Sequence, residues 1–170
     1  MNSISCLACQ AFAGALTLTV AVGASAQGAW RLDTRGATGP IAQVALPDAG
    51  PMRRTSFIAF EYARRCDPMF SFAEITGTRL GAPISQSVLS GSKIGVVVNG
   101  RFHTWHAAIT KYDNGYEAAF GITNELFHLL TGKVDSLVYV TPDGKLVPMP
   151  IAGFRQAVQS AFDACVKRFQ

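Results

Sequence analysis

The chain has 170 residues, of which 49% are hydrophobic and 15% are charged, with 15 Lys and Arg against 11 Asp and Glu. This composition excludes a disordered tail, a collagen-like repeat and a coiled coil, because each needs a charge, glycine or heptad bias that is missing here. The basic residues are scattered, so the net charge of +4 does not favour nucleic-acid binding. We therefore expect a globular protein.

The N-terminal segment is typical of a secretory signal peptide. Residues 1–26 contain no Asp, Glu, Lys or Arg, become apolar from Ala11 and close on Ala24-Ser25-Ala26. The apolar run is about 16 residues, shorter than the roughly 20 needed to cross a bilayer, which argues against a transmembrane anchor. We expect cleavage before Gln27 and export of residues 27–170 as a single domain to the periplasm or the cell exterior.

The exported chain keeps two of the four cysteines, Cys66 and Cys165. In an oxidising compartment their simplest fate is one disulfide, which would close a loop for which chain entropy gives about 4–5 kcal/mol of stabilisation. The alternative is a reactive thiol. That alternative needs a base or a metal beside one cysteine, and the neighbouring sequence offers neither.

The first half of the exported chain alternates β-rich runs with Gly and Pro. Residues 30–46 are irregular and predict one or two edge strands, and residues 48–51 predict a loop. Strands are predicted over residues 55–62 and 69–75, with a turn at Asp67-Pro68 between them.

Two Asn-Gly pairs, Asn99-Gly100 and Asn114-Gly115, give the clearest local prediction. Asn-Gly between β-rich runs is the strongest short hairpin signal, since both residues tolerate the positive φ that a type I′ turn requires. We therefore expect two hairpins that join in an antiparallel meander. The flanking β-rich runs are residues 94–98, 101–106, 109–113 and 116–120.

A short helix is predicted after the hairpins. Thr123 or Asn124 can cap it, residues 125–130 form it and Gly132 ends it. Two strands are then predicted, and prolines mark the second as an edge. These strands are residues 134–141 and 146–151, joined by a turn at 142–144.

The last segment predicts a long amphipathic helix, because apolar residues recur at three- and four-residue spacing. This places Cys165 on the buried face, so the disulfide would pin the helix to the rest of the domain. The predicted fold class is α+β, mainly an antiparallel sheet or sandwich of hairpins with a short helix and a long C-terminal helix. The residues on the predicted buried face are Phe154, Val158, Ala161, Phe162, Cys165 and Phe169.

Three histidines are candidate metal ligands. His103 and His106 are separated by three positions, which puts them on opposite faces of a strand. Glu125 and His128 share a helix face, but a di-iron carboxylate site needs several such pairs. We therefore assign no metal ligand. The alternative hypothesis is a small periplasmic metal-dependent or hydrolytic enzyme that uses His103 and His106, with His128 as a further ligand.

Other catalytic patterns are missing from the sequence. It contains no Gly-x-Ser-x-Gly elbow and no phosphate-binding glycine loop, so no catalytic residue and no cofactor are predicted. The pairs Arg53-Arg54 and Arg64-Arg65 flank a predicted strand. They suit either a basic patch for an acidic surface or, as we favour, a solvated edge that blocks aggregation.

From about Lys93 onward, the order of elements resembles the invasion-associated locus B protein family of exported alphaproteobacterial proteins. The hairpins, a helix ending at Leu129-Leu130-Thr131-Gly132, the strand at 134–141 and Gly153-Phe154 opening a helix that carries Ala157 make up the resemblance. The extra cysteines of the family are not present here. The resemblance implies a periplasmic or surface-exposed, non-enzymatic factor that acts on a host or on the bacterial envelope.

The sequence thus predicts an exported bacterial envelope or surface protein that acts by binding rather than by catalysis. The expected partner is another protein or an envelope component. No bound nucleic acid, cofactor or transmembrane anchor is expected, and the sequence does not indicate an oligomeric state.

Overall fold

The computed structural model describes residues 28–36, 38–89, 94–104 and 106–170. The predicted signal peptide, residues 1–26, lies outside the described residues. The described chain is mostly antiparallel β-structure with two helices, which confirms the predicted α+β class.

The strands form two antiparallel sheets. The larger has the order β1-β2-β3-β4-β9-β8-β5, and the smaller has the order β11-β10-β6-β7. In chain order the strands are β1 (Arg31–Asp33), β2 (Ile41–Ala49), β3 (Met52–Glu61), β4 (Asp67–Thr76), β5 (Pro83–Leu89), β6 (Gly95–Val98), β7 (Arg101–Thr104), β8 (Ala107–Tyr112), β9 (Gly115–Gly121), β10 (Leu137–Val140) and β11 (Leu146–Met149). The helices are α1 (Asn124–Thr131) and α2 (Phe154–Val166).

One apolar core joins the two sheets. Tyr139 of β10 stacks on Phe72 of β4 with ring centroids 4.1 Å apart, and Phe70 stacks on Phe120 of β9 at 4.9 Å. These rings are almost fully buried, and each contributes roughly 1.5–3 kcal/mol relative to an exposed position. These four aromatic side chains therefore serve core packing.

Helix α2 packs against β1, β2 and β3 and covers the end of the larger sheet. Most of its predicted buried face is confirmed, because Phe154, Val158, Ala161 and Cys165 are buried. Phe169 is 55% exposed, which corrects the prediction for that residue. It lies in a terminal 3₁₀ turn, where three residues per turn rotate it away from the α-helical stripe. Neither helix in the described part of the chain is long and apolar enough to span a membrane.

Cys66 and Cys165 lie at disulfide-bonding distance, with their Cα atoms 5.9 Å apart. Both side chains are buried. Cys66 follows β3 and Cys165 lies in the last turn of α2, so the bond ties the helix to the larger sheet. This is the pairing that the sequence predicts.

Two predicted loops in the first half are wrong in position. Asp67-Pro68 does not form the turn but begins β4, where a proline in the first residues of a strand is tolerated. The chain reverses instead at Arg65 and Cys66, both of which have positive φ. Strand β2 also extends to Ala49, so the predicted loop at 48–51 is shorter than expected.

The two predicted hairpins form, but they do not join in one meander. Strands β6 and β7 belong to the smaller sheet, whereas β8 and β9 belong to the larger one. The chain passes from one sheet to the other between Thr104 and Ala107. Strand β5, which the sequence did not predict, pairs with β8 in place of β7.

The two Asn-Gly pairs also differ in their turns. Asn99 and Gly100 both have positive φ, as a type I′ turn requires. In the second hairpin Tyr112 pairs with Gly115, so the turn residues are Asp113-Asn114 and the predicted turn is displaced by one residue. A Cβ at position 115 would strike the carbonyl oxygen of Glu74, so glycine is required there for close strand packing.

The predicted helix cap is confirmed, and the last hairpin forms, although its first strand begins at Leu137 and not at Val134. The Leu126 amide donates to the Thr123 hydroxyl at 3.3 Å, and α1 ends at Gly132. Strand β11, which contains Pro148, is an edge of the smaller sheet.

Candidate binding surface

The histidines proposed as metal ligands do not form a ligand set. His103 is half-buried in β7, His106 is exposed between β7 and β8, and Glu125 and His128 are exposed on α1. Within the described ranges, no three His, Cys, Asp or Glu side chains come together as metal ligands.

The two arginine pairs lie near opposite ends of β3, a strand of ten residues that spans about 33 Å. They do not make one patch. Arg54 also forms an ion pair with Glu74, with Nε and Oε2 3.1 Å apart. The favoured interpretation as a solvated edge is wrong as well, because β3 lies between β2 and β4 in the interior of the sheet.

The edges of the two sheets are β1, β5, β7 and β11. Edge strands expose unpaired backbone groups, and proteins protect them by making them short or by adding charge or proline. Strand β1 has three residues and carries Arg31 and Asp33. Strands β7 and β11 have four residues each and carry Arg101 and Pro148 respectively.

Strand β5 differs from these edges in length and chemistry. It has seven residues, six of them exposed, and residues 80–92 include no charged side chain. Ile84 is 68% exposed and Val88 is 65% exposed. A long uncharged edge with exposed apolar residues is a template for another strand.

The register of the sheet shows which backbone groups of β5 are free to pair. Tyr112 pairs with Gly115 across a two-residue turn, so its N–H and C=O groups face β9. Every second residue of a strand directs its backbone groups to the same side, so the N–H and C=O groups of Thr110 and Ala108 also face β9. Their neighbours on β5, Gln86 and Val88, therefore direct their N–H and C=O groups away from β8.

Asn114 positions the loop that leads into β5. Its Nδ2 donates to the carbonyl oxygens of Thr76 and Arg79, both at 2.8 Å, and its Oδ1 accepts from the Gly81 amide at 2.8 Å. The Asp113 amide donates to the carbonyl oxygen of Ala82 at 3.1 Å. The sequence identified Asn114 only as a turn residue, since nothing local indicates bonds to residues more than 30 positions away.

A polar cluster lies on the sheet face beside this edge. Gln86 neighbours Thr110, and Thr110 neighbours Glu117 on β9. Ser71 donates to Oε1 of Glu117 at 2.6 Å, and the Tyr112 hydroxyl lies 3.4 Å from Oε2. Burial raises the pKa of the Glu117 carboxyl, while the hydrogen bonds from Ser71 and Tyr112 act in the opposite direction.

No local sequence pattern indicates this cluster. Ser71 and Glu117 are 46 positions apart and meet only through the pairing of β4 with β9. Ser71 is fully buried, so its hydroxyl serves as a hydrogen-bond donor to the carboxylate and is not accessible to a substrate.

Comparison of the chain with protein-family models, curated proteins and solved structures found no match. The resemblance to the invasion-associated locus B protein family therefore stays a prediction.

Proposed function

We propose that the protein is an exported bacterial envelope or surface protein that binds another protein chain, with a strand of that partner pairing along β5. The observation that carries this proposal is the β5 edge, which is seven residues long, exposed and uncharged. The other edges described above have only three or four residues, and β1 and β7 carry charged side chains.

Strand addition suits the chemistry of this edge. In this mode backbone hydrogen bonds supply affinity, and side chains on the added strand supply specificity. Gln86 and Val88 offer the backbone groups, and the exposed side chains of Ile84 and Val88 offer apolar contacts.

Two sequence features support export. Residues 1–26 have the pattern of a signal peptide, and Cys66 and Cys165 form a pair that is stable in an oxidising compartment. The resemblance to the invasion-associated locus B protein family supports the same class, a non-enzymatic factor of the periplasm or cell surface.

Chemical crosslinking in the native envelope, followed by mass spectrometry, tests this proposal. Val88→Lys places a charge on the β5 edge, and Leu146→Lys is the matched control, because Leu146 is 66% exposed on the β11 edge. We expect the crosslink to the partner chain to disappear in Val88→Lys and to persist in Leu146→Lys. Equal crosslinking in both variants would contradict binding at β5.

A further inference from the structure

The sequence of β5 reads almost the same in both directions around Gln86, as Ile84-Ser85-Gln86-Ser87-Val88. We propose that the chain paired along β5 is a second copy of this protein, related by a two-fold axis through Gln86. This inference depends on the proposed function, since it names the partner of the same edge.

Antiparallel pairing about this axis matches like with like. Gln86 faces Gln86 of the second copy, Ser85 faces Ser87, and Ile84 faces Val88. Amide, hydroxyl and apolar groups thus each meet a group of their own kind, and such cross-strand pairs stabilise a sheet. A two-fold interface of this type uses the same surface on both chains.

The backbone register supports the same axis. Gln86 directs its N–H and C=O groups away from β8, so two copies of Gln86 on the axis can exchange both hydrogen bonds. Val88 directs its backbone groups to the same side.

The ends of β5 limit the pairing. A bulge interrupts the register between Pro83 and Ser85, and a proline has no N–H to donate. We therefore expect regular pairing on each chain over about three residues, from Ser85 to Ser87, with Ile84 at the bulge and Val88 in contact through their side chains. Because the two-fold contact uses the β5 edge of both chains, no β5 edge is left for a third copy, and the contact produces dimers and not fibres.

The charge distribution permits this contact. The chain carries a net charge of +4, which opposes association of two copies. Residues 80–92 carry no charge, so the repulsion between copies is weakest at this edge. On β1 and β7, Arg31 and Arg101 would instead meet like charges or be desolvated in such a contact.

The molar mass of the purified protein, measured by light scattering over a range of concentrations, tests the inference. We expect the mass of two chains for the unmodified protein and for Leu146→Lys, and half that mass for Val88→Lys. Val88→Lys should unfold at the same temperature as the unmodified protein diluted to its single-chain form, because Val88 is 65% exposed and only the loss of pairing lowers the midpoint.

Oxidative crosslinking tests the position of the axis. Gln86→Cys should form a covalent dimer, because directly opposed residues have Cα atoms about 5.5 Å apart, within reach of a disulfide. Leu146→Cys, the control on β11, should remain a single chain.

The outcomes separate the two proposals. A single-chain mass at all concentrations, or a dimer that Val88→Lys leaves intact, would overturn the two-fold pairing of β5. If the envelope crosslink to a different protein is still lost in Val88→Lys, the proposed function stands with another partner. If neither the mass nor the envelope crosslink depends on Val88, both proposals fail.

Discussion

The two ends of the larger sheet are built differently. At one end β1 has only three residues, carries Arg31 and Asp33 and contacts α2. At the other end β5 has seven residues, no charge and extensive exposure. One end is thus closed by the rest of the molecule, and the other is left available for pairing.

This difference separates stability from association. Helix α2 packs on β1, β2 and β3 and is bonded through Cys165 to Cys66 at the turn between β3 and β4, whereas β5 contributes mainly its edge. Substitutions at the β1 end should therefore unfold the protein without a specific effect on pairing. Substitutions on β5 should weaken pairing without unfolding the protein.

The largest expected effect is loss of the disulfide. Replacing both Cys66 and Cys165 by Ala should lower the free energy of unfolding by about 4–5 kcal/mol, since the bond closes a long loop in the unfolded chain. Urea unfolding of the oxidised protein and of the variant measures this difference. Equal urea midpoints would contradict the role of the bond in holding α2 to the sheet.

Trp30 should have the next largest effect. Its ring contacts Phe154 at 4.8 Å, and its Nε1 donates to the carbonyl oxygen of Pro150 at 2.7 Å. Trp30→Ala should cost about 3–5 kcal/mol of stability in thermal or urea unfolding. Leu32→Ala, at an exposed position of β1, is the control and should change stability by less than about 0.5 kcal/mol.

Asn114 tests the link between the turn and the β5 edge. Asn114→Ala removes its hydrogen bonds to Thr76, Arg79 and Gly81 and should cost about 1–3 kcal/mol. Because these bonds hold the loop before β5, pairing along β5 should also weaken.

A matched control for Asn114 exists in the smaller sheet. Asn99 donates to the carbonyl oxygen of Lys133 at 2.8 Å and accepts from the amides of Asp135 and Ser136. Asn99→Ala should cost at least as much stability, because Asn99 also has positive φ, which alanine adopts less readily, and it should leave the molar mass unchanged. The same loss of dimer in both variants would show that instability, and not the loop before β5, controls pairing.

Glu117 should give a smaller, pH-dependent effect. Burial raises its pKa above the ordinary value of 4.5, so the folded state binds the proton more tightly than the unfolded state. The contribution of this group to stability therefore falls as pH rises from 4.5 towards the folded-state pKa. Glu117→Gln should remove this part of the decline in a pH series of thermal midpoints. An unchanged pH profile would contradict burial of the charge.

Sequence patterns predicted the elements that have one buried face. The stripe on α2 identified Cys165 as buried, and the positive φ tolerated by Asn99-Gly100 identified a true type I′ turn. In each case a local requirement, burial of one helix face or a positive φ, restricts the residue type, so the residue type predicts the local structure.

The sequence analysis did not predict strand β5, and the reason is physical. Alternation of apolar and polar residues arises when one face of a strand is buried, and most of β5 is exposed on both faces. The sequence also predicted that the two hairpins share one meander, and this was wrong. Which sheet a hairpin joins depends on packing between distant segments, such as Tyr139 on Phe72. The candidate surface was therefore visible only after the register was known.

The central claim is that another strand pairs along β5, and amide hydrogen exchange tests it most directly. The exchange rate of each β5 amide is compared between the unmodified protein and Val88→Lys at matched concentrations. The amides of Ser85 and Ser87 face β8 and should exchange slowly in both proteins. The Gln86 amide should exchange slowly only in the unmodified protein, because pairing with another strand protects it. Fast exchange of Gln86 in both proteins would contradict pairing at this edge.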